Sequence, residues 1–360
     1  MHNHIRMPQV IARLEENRLR YAVVSLNDQA RIVVLERGGR VLGPFAEAGG
    51  ESIFWLHEAF GSGDAFADLL ASGAWNVGGE RVWISPEIQY GVRDRSDFWR
   101  TLHVPEQVDP GNHVLDRTAL GLWRLRQEMT LQAYNLASGH KSLYLEKLIR
   151  PIEDPLRRTS EYAQLVRDVD FAGFEQIVTL SETTTDDIVS ETWNLVQINP
   201  EGTLLVPAVP CAEAVDYYEP VADLQVIHAH HVQLRITGDR RYKVGYKAAH
   251  VFGRVGYLNG LGEKKGYLIV RNFFVNPSAP YLEEPAHLPG GGGQAIHVYN
   301  DDGAFGGFGE LECHGQAIGG RTGHSCSTDQ FVLWLYCGPI DRLRDIALRL
   351  LGCSGLEGGQ

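Results

Sequence analysis

Apolar and polar residues alternate along most of this chain, in short runs broken by glycine, proline and Asn-Asp pairs. Alternation sends successive side chains to opposite faces, so the pattern predicts half-buried β-strands joined by tight turns. "YAVVSL" (21–26), "RIVVLE" (31–36) and "GRVLGPF" (39–45) begin the series. It continues through "ERVWISPE", "HVLDRTALGLW", "LRQEMTLQAYNL", "KSLYLEKLIRPI", "ETWNLVQI", "LQVIHAHHVQLRI", "YKVGYKA", "GYLIVRNFFV", "AIHVYNDD" and "FGELECHG". The 40 glycines and 16 prolines supply the punctuation that an antiparallel meander needs.

Helical spacing is confined to the margins. Met7, Val10, Ile11 and Leu14 predict an amphipathic helix over 7–19. "PIDRLRDIALRLLG" starts behind a proline, puts Leu343, Ile346, Ala347 and Leu350 on one face, and stops at Gly352. "ESIFWLHEAF" and "DAFADLLASG" predict short helices or turns, and "RTSEYAQLVRD" a helical turn between strands. The expected architecture is all-β: an N-terminal helical segment (1–20), then one β-sandwich domain (21–355) of large antiparallel sheets with short marginal helices.

Composition narrows the function. The chain has 360 residues, 44% of them hydrophobic, enough for a large core. Its net charge is -12 and its basic residues are scattered, which argues against nucleic acid as a partner. No apolar run is long enough to span a bilayer, so no membrane association is expected. Nor does a secretory signal open the sequence. Five cysteines, an odd number in no zinc or disulfide spacing, fit reduced thiols and a cytoplasmic location. No dinucleotide or phosphate loop is legible and no cofactor is implied. Oligomeric state is not legible.

Three stretches carry candidate chemistry. In "FGELECHG" a strand would align Glu310, Glu312 and His314 on one face, with Leu311 and Cys313 on the other. A solvated edge would tolerate those groups. A cleft would use them, because neighbouring carboxylates raise one another's pKa and separate acid from base. In "LQVIHAHHVQLRI" a continuous strand would put His228 and His230 on the more apolar face, as core histidines with partners, as proton-transfer groups, or as a metal pair. In "ERVWISPE" Arg81, Trp83, Ser85 and Glu87 would share a face suited to a sugar, the indole against C–H patches and the charges on hydroxyls. An Arg81–Glu87 surface pair is the plainer alternative. Glu191, Trp193, Arg271, Asn272 and His297 extend the set on other strands.

The blocks "GGRVLGPF", "NVGGERVWISPE", "ETWNLVQINPEGTLLVPA" and "FGELECHG" resemble the galactose mutarotase-like superfamily, the relatives of aldose 1-epimerase, over roughly residues 20–340. The resemblance implies a β-supersandwich with a sugar cleft on a concave sheet. It also implies a glutamate that takes the anomeric proton, here Glu312 or Glu310, and a sugar-binding arginine, here Arg81. The epimerases place an acid histidine before a Tyr-Phe-Asn-Leu-like block. Here "ETWNL" follows Ser190, so the imidazole would come from His228, His230 or His314 on another strand. The leading expectation is acid/base catalysis on a small carbohydrate by an epimerase-like isomerase, or a lyase or hydrolase on the same scaffold. A non-catalytic sugar-binding protein and a cupin-like enzyme with metal on His228 and His230 are the alternatives.

Overall fold

In a computed structural model the described residues are 4–356, apart from 48, 211 and 261–262. The alternating pattern resolves into two antiparallel sheets packed face to face. One has nine strands, in spatial order Tyr21–Ser25, Arg31–Leu35, Arg40–Phe45, Glu80–Ser85, Glu191–Ile198, Gly309–His314, Ile296–Asn300, Tyr242–Tyr246 and Val215–Asp216. The other has ten, running from Gln225–Ile227 at one edge to Val114–Arg117 at the other. The all-β expectation holds.

The main core lies between the sheets. Val82 and Ile84, Val196 and Ile198, and Leu311 and Cys313 contribute from one side, and Leu145, Phe174, Leu204 and Leu333 from the other. A polar network crosses this layer. Glu80 accepts from Lys147 Nζ at 3.1 Å and Gln176 Nε2 at 2.7 Å, and also from Asn194. Arg271, fully buried, reaches Asn194 and lies 3.8 Å from Glu80. A buried charge is tolerated only when paired in this way.

Both outer faces are partly covered by helices. The N-terminal helix, Met7–Glu16, ends three residues short of the prediction, and Val10 and Leu14 pack on Val33, Leu35 and Leu42. The helix Gly63–Ala71 lies on the same cluster through Phe66. At the other end of the chain, Ile340–Leu351 lays Leu343, Ile346 and Ala347 over Leu205, Leu258 and Leu268 of the ten-stranded sheet. Gly352, at φ 69°, closes that helix in the left-handed conformation glycine permits.

Two segments differ from expectation. "HVLDRTALGLW" is not one strand, because a turn separates Val114–Arg117 from Trp123–Ala133. "LQVIHAHHVQLRI" is a hairpin, Gln225–Ile227 folding back on His231–Ile236. His228 and His230 therefore sit in its turn rather than on a strand face, at the edge of the ten-stranded sheet. No glycine, proline or Asn-Asp pair stands at 228–230, so the break leaves no trace in the pattern. The four described cysteines, Cys313, Cys326, Cys337 and Cys353, are free thiols, and Cys211 lies outside the described residues. No described helix is long and apolar enough to cross a membrane.

Candidate active site

The outward face of the nine-stranded sheet carries a cleft of about 220 Å³. Strand register builds its floor. Arg81 pairs with Leu195, Leu195 with Glu312, and Glu312 with His297, giving one row of side chains across four strands. Glu310, Tyr299 and Lys243 form the next row. Trp83, Trp193 and His314 form a third. The alternation of "GELECH" therefore does what its pattern implies: Leu311 and Cys313 face the core while Glu310, Glu312 and His314 face outward.

Glu312 lies at the bottom of the cleft. Its Oε2 accepts from Trp193 Nε1 at 2.8 Å and stands 3.4 Å from Lys243 Nζ. Its Oε1 is buried and makes no hydrogen bond. Burial pushes the carboxyl up to about 8 against the pull of Lys243, and Glu310 and Glu87 add to the rise. For Lys243 burial works the other way, but Glu312 and Glu87 outweigh it and hold the ammonium charged. Arg81 donates to Glu310 at 2.8 Å and lies over the Trp83 ring at 4.1 Å. Its Nε and Nη1 are buried without partners. Glu87 belongs to the helical turn Glu87–Tyr90 beyond the strand, and takes a hydrogen bond from Tyr218 at 3.2 Å.

Indoles and phenyl rings form the sides. Trp75 meets Trp83 edge-on, and Trp83 meets Trp193. Trp83 is fixed from behind, where its Nε1 donates to Asp109 at 3.1 Å and Asp109 is ion-paired to buried Arg40. Phe305 reaches over the rim on a loop tied to Asp301, whose Oδ2 accepts from the backbone N–H groups of Gly303, Phe305 and Gly307.

Behind Glu312 runs a buried chain of polar groups. His314 Nε2 and His297 Nδ1 are 2.9 Å apart, and His297 Nε2 is 2.8 Å from Tyr217 Oη. Tyr217 Oη faces two acceptors, the Glu283 carbonyl at 2.6 Å and Gln294 Oε1. Gln294 spends its Nε2 on the Gly292 carbonyl, which fixes the amide orientation. The one phenolic proton therefore points at an acceptor, and Tyr217 takes its other bond from His297 Nε2–H. That leaves His297 Nδ1 bare to accept from His314 Nε2–H.

Burial keeps both imidazoles neutral, His314 down to about 3 and His297 well below its ordinary value. His314 Nδ1 then carries no proton. It lies 3.0 Å from Glu191 Oε1, without linear hydrogen-bond geometry. An ionised Glu191 would set a negative oxygen against a nitrogen lone pair, so the chain demands a protonated Glu191. Burial raises this carboxyl to about 8 even though Ser85, Leu282 N–H and Glu283 N–H donate to it. His314 in turn stacks near-parallel to Trp193, the residue that holds Glu312.

Among the described residues, His297, Glu312 and His314 can bring three ligand atoms within 4.8 Å of one another. The imidazoles already face each other at 2.9 Å and engage Tyr217 and Glu191 on their far sides. An ion there would have to displace those bonds.

Of the residues singled out from sequence, Arg81, Trp83, Glu87, Trp193, Glu310 and Glu312 line the cleft. Glu191, His297 and His314 stand directly behind it. Arg271 belongs to the network between the sheets. Asn272, on the same strand, faces outward and accepts from Arg254 at 2.8 Å. His228 and His230 are on the far sheet's edge, with His228 stacked on His231 at 4.3 Å. Sequence reading missed Lys243, Tyr218 and Glu283. Lys243 had a signal, a lone cation in the otherwise apolar "YKVGY".

No protein-family profile and no curated protein matches the chain. Solved structures do. An Escherichia coli K12 protein provisionally described as an aldose 1-epimerase superposes at a TM-score of 0.50 with 12% identity, over 88% of this chain and 99% of that one. A galactose mutarotase-like protein from Lactobacillus casei gives 0.44 with 9% identity, over 88% and 100%. A galactose mutarotase related enzyme from Lactobacillus acidophilus gives 0.45 with 7% identity, over 89% and 97%. The Escherichia coli match shows the fold: two large antiparallel sheets in the aldose 1-epimerase-like arrangement, as the sequence blocks implied. This rules out the cupin-like barrel.

Proposed function

We infer that the chain is a carbohydrate-active enzyme performing proton transfer at a sugar, with an aldose 1-epimerase-like reaction as the leading form. The observation that carries this reading is Glu312: a buried carboxyl with one oxygen unpartnered, at the floor of an aromatic-walled cleft, beside Lys243 and two strands from Arg81. The fold shared with a protein provisionally described as an aldose 1-epimerase supports it.

In the proposed step Glu312, as carboxylate, removes the proton from the anomeric hydroxyl. The C1–O5 bond breaks as O5 takes a proton from the Lys243 ammonium, Glu312 returns its proton to Lys243 across 3.4 Å, and the open chain turns about C1–C2 before reclosing by the reverse transfers. Lys243 and Arg81 stabilise the charge that grows on the sugar oxygens. A carboxyl lifted toward neutrality is a stronger base than an ordinary one and still ionises at working pH. His314 and His297 position this apparatus through Trp193. His228 and His230 take no part, and the reading needs no cofactor.

The test is anomer exchange, followed by NMR on a panel of free aldoses. Wild-type protein should accelerate exchange for at least one sugar, and Glu312→Gln should lower kcat by about 10²- to 10⁴-fold. Unchanged turnover in the variant would remove Glu312 from the chemistry. Sugars that bind wild-type protein without exchanging would favour the non-catalytic binding alternative.

A further inference from the structure

The cleft is two-sided in its chemistry. Its charged groups, Arg81, Glu310, Glu312, Lys243 and Glu87, all belong to the sheet floor or the turn directly after it. The facing wall comes from one segment, residues 99–108, and presents Trp99, Leu102, Val104, Pro105 and Val108. Its single polar side chain, His103, already has Nδ1 on the Thr101 carbonyl at 3.2 Å. Trp99 is 50% exposed at the mouth and Phe305 is 42% exposed, so apolar surface continues outward from the wall.

The floor also spends most of its polar capacity on itself. Arg81 pairs with Glu310, Glu312 with Trp193 and Lys243, and Glu87 with Tyr218. The unfilled buried positions on these groups are Arg81 Nε and Nη1 and Glu312 Oε1. A bare hexose carries hydroxyls around its whole rim. Those turned to Leu102, Val104 and Val108 would lose water and find no partner, which is costly for each one. A ligand matched to this cleft has a polar edge for the floor and an apolar edge for the wall.

The geometry points to a substrate that is a saccharide carrying an apolar substituent, alkyl, acyl or aryl, with the sugar on Arg81 and Glu312 and the substituent against the 99–108 wall. This rests on the carbohydrate reading above and sharpens it. Burying a phenyl or short alkyl group on such a wall strengthens binding by an order of magnitude or more, since each methylene removed from water contributes about fourfold.

The test uses the full chain and paired probes that keep the anomeric hydroxyl free: the 6-O-methyl and 6-O-phenyl ethers of glucose, galactose and mannose, titrated by tryptophan fluorescence and calorimetry. In every pair that binds, the phenyl member should bind at least tenfold tighter, and Leu102→Asn should erase most of that ratio. Equal affinity within the binding pairs overturns the proposal and leaves the carbohydrate reading standing. Tighter binding of the methyl members overturns it also. Failure of all six probes while a free aldose binds overturns the proposal alone, and failure of the free aldoses as well overturns both.

Discussion

Glu191→Gln tests the tautomer chain behind the cleft. The wild-type carboxyl is held protonated in the folded state at about 8, against 4.5 for an ordinary glutamate. Each decade of that difference corresponds to about 1.4 kcal/mol, so the whole is on the order of 5 kcal/mol. The sign follows from proton counting. Between pH 4.5 and about 8 the folded protein keeps a proton at Glu191 that the unfolded chain releases. Stability from this group is complete below the lower value and is lost as pH climbs through the upper one. Glutamine keeps the shape, accepts from Leu282 N–H and offers an N–H to His314 Nδ1 at the expense of the Glu283 N–H bond, but it does not titrate. The variant should therefore start below wild type at pH 4.5 by an offset of about 1 kcal/mol, the lost Glu283 N–H bond. The variant should gain relative to wild type by up to about 1.4 kcal/mol per pH unit above that. Glu312 and Glu283, whose carboxyls burial also raises, contribute to both proteins and cancel in the difference. Urea unfolding from pH 4.5 to 8.5, read by tryptophan fluorescence, measures it, and the infrared stretch of a protonated carboxyl at pH 6 gives a second readout. Parallel pH dependences in the two proteins, with no carboxyl band lost in the variant, would mean that Glu191 is ionised and the hydrogen-bond chain runs the other way.

Three further outcomes follow from the same geometry. If Glu312 is the base, kcat/KM should rise with pH to a plateau with an apparent pKa near 8, and a rising limb near 4.5 instead would contradict its burial. Gly245→Ala should cost about 1–3 kcal/mol by thermal or urea unfolding, because a Cβ there would come within 2.9 Å of His297 Nε2 and of Gln294 Cγ; a neutral effect would show that the His297–Tyr217 contact is slack. Arg81→Met should destabilise by about 3 kcal/mol or more through the unpaired Glu310, and adding Glu310→Gln should restore much of the loss, measured as a double-mutant cycle; additive losses would mean the pair is not coupled.

Period-two alternation explains what could be read in advance. It assigns residues to a shared face, so Glu310, Glu312 and His314 were legible as a set, as were Arg81 and Trp83. It does not say which sheet a strand joins or which face meets the core. The strand Lys265–Phe273 is covered on both sides, by the opposing sheet and by Ile340–Leu351, so its alternation carries no inside-outside signal. Arg271 and Asn272 therefore looked like cleft residues and are not. His228 and His230 misled for a different reason: a hairpin turn made of His-Ala-His interrupts no apolar rhythm. Glu283 sits in an irregular segment, where only tertiary structure brings it to Ser85 and the Glu87 backbone. Glu191 was legible as a strand residue, but its protonation depends on hydrogen-bond directions spread over five segments.

The most direct measurement is a crystal structure of the protein with a bound sugar, taken from whichever probe titrates tightest. An anomeric or ring oxygen should lie within hydrogen-bond distance of Glu312 Oε1, with a hydroxyl on Arg81. A sugar seated elsewhere, or one in the cleft that leaves Glu312 untouched, would contradict the role given to Glu312.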